Sequence, residues 1–265
     1  MGLFYVYVSS KRGDTATGNV AIAFANPEVA DEWWRALADH SELGKCIQRI
    51  TPQLYKWDTG SSATGLAQTF NGNTFTNSRY QIMMAQFGPK MMFLDPRDEN
   101  SMGRNWEPTG IIPVQDVADL ASGKAFYIRS KKDPNEYWFC PVLAQGSIEG
   151  YVYASRAERS LFRVRNANGQ IKPGTIMVGS DEVIISESFW PEWHIVVENG
   201  RVITRCYKGA TMSKQPRMKL SDVRTRFVGA YPQQVCAVYG VENSFSVMRD
   251  LRVATNGNEE GWELV

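Results

Sequence analysis

Between residues 124 and 165, apolar and polar residues alternate in short bursts: Ala125-Phe-Tyr-Ile-Arg-Ser130, Glu136-Tyr-Trp-Phe-Cys140, Tyr151-Val-Tyr-Ala-Ser155 and Leu161-Phe-Arg-Val-Arg165. Turn residues separate them, first Asp133-Pro134-Asn135 and then Gly146 and Gly150. Aromatic and β-branched side chains suit a pleated, half-buried surface, so the bursts predict four consecutive antiparallel strands. The same rhythm continues toward the C-terminus and predicts strands at 175–178, 182–186, 193–197, 202–207, 225–228, 235–239, 244–248 and 262–265. Short strands at this spacing, with turn signals between them, indicate an all-β sandwich or barrel.

The N-terminal part follows a different pattern. Strands are predicted at 4–10 and 19–24, joined by a turn at Lys11-Arg-Gly-Asp14. The Arg-Gly-Asp tripeptide within that turn carries no weight. Asn26 and Pro27 then form a helix start, a side-chain cap followed by a residue whose φ already suits the first turn. Glu28, Asp31 and Glu32 lie near the positive end of that helix, and Val29, Trp33, Ala36 and Leu37 share one face. Trp33 is expected on a sheet and Trp34 along its rim. A strand at 48–57 is interrupted near Pro52, and 59–77 is rich in Gly, Ser, Thr and Asn and is read as a loop. Two further strands are expected in 79–94, split at Gly88-Pro89, with Met83, Met84, Met91 and Met92 as adaptable core filler. Residues 95–113 are the expected border, and 113–120 one short helical turn. The division is therefore an α+β region at 1–110, a candidate interaction module, and a β domain at 111–265.

Composition narrows the partners. The chain of 265 residues carries 29 basic and 28 acidic side chains, so bulk electrostatics give no reason to expect nucleic acid. Cys46, Cys140, Cys206 and Cys236 are widely separated and only two His are present, which argues against zinc and for reduced thiols. The first residues lack the charged and apolar segments of a signal peptide, and Val6 stands where a myristoylation motif needs Ser or Thr. No apolar run is long enough to span a membrane. A cytoplasmic protein is expected, with any export bypassing the usual signal.

His40 and His194 are the only imidazoles available to a nucleophilic triad, and both read as structural. Nucleotide-binding Gly patterns, a nucleophile elbow and a metalloprotease motif are missing from the sequence. Asp181-Glu182 is a carboxylate pair whose separation the sequence does not give. No enzyme and no cofactor are expected. Two stretches carry binding chemistry. In 181–193, Asp181 and Glu192 offer acceptors for sugar hydroxyls and Trp190 offers a stacking face. The plainer alternative makes Trp193 a core residue and Trp190 a loop cover. In 205–226, seven basic residues accompany one acid, Asp222. Arg217, Lys219 and Arg224 are its candidate contacts for an anionic ligand, against the alternative of a solvated loop and strand face.

Leu161-Phe-Arg-Val, Trp193-His-Ile-Val and Trp262-Glu-Leu-Val each set a large aromatic before alternating aliphatics, at unequal spacing. Phe4-Tyr-Val-Tyr-Val also resembles Phe126-Tyr-Ile. With these strand ends, residues 115–265 resemble a β-trefoil, closest to the signal-less fungal lectins and protease inhibitors of that fold. The Gln-x-Trp signature of ricin-type lectins is missing, so no sugar-binding residue follows from the resemblance. What it implies is a non-catalytic, lectin-like protein that binds a glycan. An inhibitor presenting residues 212–220 to a protease is the alternative. A scaffold whose N-terminal region forms a homodimer is the third class.

Overall fold

The structure is a computed structural model that describes residues 2–10, 20–41, 43–58, 86–94, 114–141, 149–239, 242–255 and 260–265. The turn expected at Lys11, the loop at 59–77, the strand expected before Gly88 with Met83 and Met84, and the border segment 95–113 lie outside the described residues. The chain is mainly β and divides into two compact units, residues 1–119 and 120–265. The expected border at 110/111 falls short because the next residues are tied to the first unit. The Gln115 carboxamide accepts from Tyr5 N–H at 3.3 Å and donates to Leu3 O at 3.0 Å, and Asp119 pairs with Arg49 at 2.8 Å. Residues 114–120 form no helical turn.

The first unit is a five-stranded sheet: β1 (Phe4–Ser10), β2 (Val20–Phe24), β3 (Ile47–Thr51), β4 (Leu54–Trp57) and β5 (Met91–Leu94), in the order β3-β4-β1-β2-β5. Among the described residues only β1 and β4 run parallel, and α1 (Pro27–Asp39) lies between β2 and β3 in sequence. Asn26 caps α1 by accepting from Val29 N–H at 2.9 Å. The apolar face of α1, with Val29, Trp33 and Leu37, is buried with Val6, Ile22 and Phe24 of the sheet. Trp33 stacks on Tyr55 with ring centres 6.0 Å apart, and Trp34 tilts onto the same ring at 5.3 Å. Asp31 does more than favour the helix dipole: buried beside Arg49 at 2.8 Å, it ties α1 to β3.

The second unit is built from β6 (Ala125–Phe126), β7 (Ile128–Ser130), β8 (Tyr137–Phe139), β9 (Glu149–Tyr151), β10 (Tyr153–Ser155), β11 (Phe162–Asn166), β12 (Glu182–Glu187), β13 (Trp193–Glu198), β14 (Arg201–Cys206), β15 (Met218–Lys219), α2 (Leu220–Thr225), β16 (Phe227–Tyr239), β17 (Glu242–Val253) and β18 (Trp262–Leu264). Its sheet curls into a nearly closed barrel. β6 pairs with β11, while Tyr127 exchanges two 2.9 Å backbone hydrogen bonds with Val265 and β7 pairs with β18. One segment, 125–130, therefore lies between the strand at 162–166 and the strand at 262–264. The wall continues from β11 to β12 and from β12 to β15, and Glu260 N–H donates to Phe227 O at 3.2 Å where β16 begins.

Three hairpins, β8 with β10, β13 with β14 and β16 with β17, form a second layer. Their return strands meet pairwise: Ile203 opposite Tyr151, Arg201 opposite Arg252, and Tyr153 opposite Asp250. At the centre sit Val152, Val202 and Leu251, all fully buried. Val152 N–H donates to Val202 O and Leu251 N–H to Val152 O, each at 3.1 Å. Below them, Trp138 is wedged edge-on against Phe162, Phe227 and Trp262, with ring centres 6.1, 5.3 and 5.9 Å away.

Several strand expectations change. Residues 175–178 contribute a single bridge, Ile176 opposite Ala121, and the runs at 225–228 and 235–239 merge into β16. Just before β16 lies α2, where a strand face or loop was expected; Leu220 and Val223 are buried three residues apart in a helix too short to leave a periodic signal. The three-fold recurrence also shifts. The strands of Phe162 and Trp262 both flank 125–130, whereas β13 of Trp193 belongs to a hairpin. Where β16 meets Pro232 the register slips, and Tyr231 takes a left-handed φ of 43°.

Candidate functional site

Strand β12 has a polar cleft at its beginning and an exposed aromatic turn at its end. The cleft, of about 420 Å³, is lined by Asn166, Asn168, Ile171, Asp181, Glu182 and Arg217, among others. Its wall is the connection from β11 to β12, which turns by side-chain capping. Asn166 Oδ1 accepts from Asn168 N–H at 2.8 Å, Asn168 Oδ1 from Gln170 N–H at 3.1 Å, and Asp181 Oδ2 from Val178 N–H at 3.0 Å. Backbone bonds hold both sides, Ala167 N–H to Glu182 O at 2.8 Å and Leu220 N–H to Asp181 O at 2.9 Å. Across the mouth, Arg217 Nη1 lies 3.5 Å from Glu182 Oε2, with both side chains exposed. The cleft thus gathers carboxylate acceptors, amide donors and one guanidinium around the apolar contact of Ile171. That inventory suits a ligand rich in hydroxyls.

At the other end, the carboxylate of Glu187 accepts from Phe189 N–H and Trp190 N–H, both at 2.7 Å. Glu187 is buried, and that burial raises its pKa above the ordinary carboxylate range while the two amide bonds oppose the rise. This clamp presents Phe189 and Trp190 at 77% and 54% exposure. Trp190 O accepts from Trp193 N–H at 2.8 Å, closing the turn.

The sequence candidates are sorted accordingly. Asp181 and Trp190 flank the six-residue β12 at opposite ends, a separation on the order of 20 Å, so they form no single site. Glu192 shares the turn with Trp190 and is half-buried. Trp193, expected in the core, is also only half-buried, opposite Cys206. Of the basic candidates, Arg217 lines the cleft. Lys219 is exposed and lies opposite Glu182 in the ladder, and Arg224 lies in the last turn of α2. Sequence reasoning missed Asn166, Asn168 and Glu187. Asn-Ala-Asn-Gly at 166–169 was the available signal, since such runs make side-chain-capped turns.

The two imidazoles hold structural positions. His40 closes α1, and its Nδ1 accepts from Leu43 N–H at 3.3 Å. His194 is buried on β13 opposite Ser186, and its ring meets Tyr207 edge-on at 5.4 Å. Burial and the Arg165 guanidinium lower its pKa to about 4, so it is neutral near pH 7. Cys140 is half-buried with its Sγ 3.7 Å from Thr204 Oγ1, and burial raises its thiol to about 11, which keeps it protonated and unreactive. Among the described residues, no cluster of three or more His, Cys, Asp or Glu could hold a metal ion, and no helix is long and apolar enough to cross a membrane. Compared with protein-family models, curated proteins and solved structures, the chain matches none.

Proposed function

We propose that the second unit is a β-trefoil and acts as a non-catalytic carbohydrate-binding domain, with its glycan seated in the cleft at the start of β12. The fold reading is supported by six wall segments, at 125–130, 162–166, 182–187, 218–219, the start of β16 and 262–264, and by three hairpins whose return strands meet around Val152, Val202 and Leu251. Those three residues are 50 and 49 positions apart, a spacing close to three equal units. The observation that carries the functional reading is the convergence of Asn166, Asn168, Asp181, Glu182 and Arg217 in one concave surface. Such a surface offers both donors and acceptors to vicinal hydroxyls.

A glycan array with the full chain, followed by calorimetric titration of the best-bound glycan, tests this. Glu182→Gln and Arg217→Ala should each weaken that glycan about tenfold, the weight of one hydrogen bond to a charged group. Melting temperatures should hold, because both side chains are exposed. An array without a bound glycan, or variants that bind like the parent chain, would refute the reading. Less supports the inhibitor alternative, since in its segment residues 212–214 form a 3-10 turn, 218–219 pair with β12, and Leu220 is buried.

A further inference from the structure

We propose that the outer side of the three-strand junction is a second ligand site, one that grips a tetrahedral oxyanion, a sulfate or phosphate ester, between Arg201 and Arg252. The two arginines are direct register partners on β14 and β17. Both reach Asp250, which is fully buried: Arg201 Nη2 donates to Oδ1 and Arg252 Nε to Oδ2, each at 2.9 Å. Two guanidinium charges against one carboxylate leave one net positive charge. Glu149 and Glu198 on the neighbouring strands place their carboxylates on Arg205, so the wider group of three arginines and three acids is neutral and the positive charge is local to the Arg201–Arg252 pair.

Asp250 fixes the two forks side by side from beneath, so only their outer N–H groups remain for a ligand. Arg201 Nε makes no hydrogen bond although it is buried. Each guanidinium also lies over a tyrosine ring, Arg201 over Tyr151 at 4.0 Å and Arg252 over Tyr231 at 5.1 Å. Stacking leaves the edge of each fork available for in-plane hydrogen bonds, the geometry by which arginine holds phosphate and sulfate groups. The tyrosines are themselves exposed, at 42% for Tyr151 and 67% for Tyr231.

Tyr231 supplies an independent observation. It occupies a left-handed backbone conformation beside a bulge and a proline, in a position that glycine would fill without strain. A large, exposed aromatic ring kept at such a position is a cost to folding that ligand contact can offset. The site is separate from the cleft at the start of β12 and does not rest on the glycan reading given to that cleft.

The test titrates the full chain by calorimetry with two probes, a heparin-derived tetrasaccharide and inositol hexakisphosphate. One or both should bind, and the one that binds identifies the source of the oxyanion. Arg252→Gln should weaken that binding at least tenfold, while Lys56→Gln, which removes an exposed cation on β4 of the first unit, leaves it unchanged. Arg252 is the residue to change because Arg201 still neutralises Asp250 in its absence. Tyr231→Gly should leave the melting temperature equal or higher, because the strained conformation is relieved, and should nevertheless weaken binding several-fold. Failure of both probes to bind overturns the proposal. So does binding that survives Arg252→Gln, or that falls equally in Lys56→Gln.

Discussion

Two aromatic groups in the second unit use the same residue types for opposite ends. Trp138 and Trp262 are fully buried, edge-on to one another, and Trp262 Nε1–H donates to Phe227 O at 3.0 Å. Phe189 and Trp190 stand in solvent, and what fixes them is a buried carboxylate beneath the turn. The interior group is held by what surrounds its rings, the turn by what holds its backbone. An exposed aromatic that is ordered from below loses little conformational freedom when a ligand covers it.

The largest effect expected from this contrast is at Trp138. Trp138→Ala should cost roughly 3–5 kcal/mol, read from urea unfolding, because the cavity would open against Phe162, Phe227 and Trp262. A cost below about 1 kcal/mol would mean that the interior is not organised around this ring.

Glu187→Ala should cost roughly 1–3 kcal/mol, because two amides lose their acceptor. It should also raise the mobility of Trp190, seen as a fall in indole fluorescence anisotropy. Anisotropy unchanged in this variant would show that the turn is fixed by something else.

Stability against pH separates Glu187 from His194, which lies on the adjacent strand. The pKa of Glu187 is raised in the fold, so its contribution is complete below the ordinary carboxylate range and is lost as pH rises through its folded value. The pKa of His194 is lowered to about 4, so its contribution is complete above about 6.5 and is lost as pH falls toward 4. Glu187→Gln should therefore make the unfolding midpoint rise more steeply between pH 4 and 6.5, and His194→Gln should flatten it. Urea midpoints at a series of pH values check both signs, and the same slope in parent and variant would discard the assignment for that residue.

The smallest change in stability is expected at the exposed ring itself. Trp190→Ala should move stability by less than about 0.5 kcal/mol. A drop comparable to that of Trp138→Ala would place Trp190 among the structural aromatics and end the contrast.

How far these roles were legible depended on the range of the interaction. The strands at 4–10, 126–130, 151–155 and 162–166 were visible because alternation is a local property, and so was the capped start of α1 at Asn26. Asp181, Glu182 and Arg217 were each noticed as polar residues. Their meeting in one cleft depends on the pairing of β12 with β15, which sequence patterns do not encode. Trp190 looked like a partner for Asp181 because nine positions are short in sequence, yet β12 sets the two at opposite ends. Glu187 escaped notice because an acid in a strand is unremarkable until its burial is known. Helix α2 was missed because its two buried positions are too few to mark a period, and the basic residues around it dominated the reading.

The closure between 125–130 and 262–264 governs when the second unit can fold. Arg129 and Glu263 form an ion pair at 2.8 Å across 134 positions of sequence. During synthesis, a ribosome must therefore translate beyond residue 264 before the first strands gain their last neighbour. Until then the sides of β7 that β18 will occupy remain open, and a nascent chain in that state has an unpaired strand edge to protect. Barrels closed by such distant pairings fold slowly, since the entropy of the long loop is lost before the contacts compensate. The interval between synthesis of β7 and arrival of β18 is thus one in which that edge of β7 lacks its partner strand.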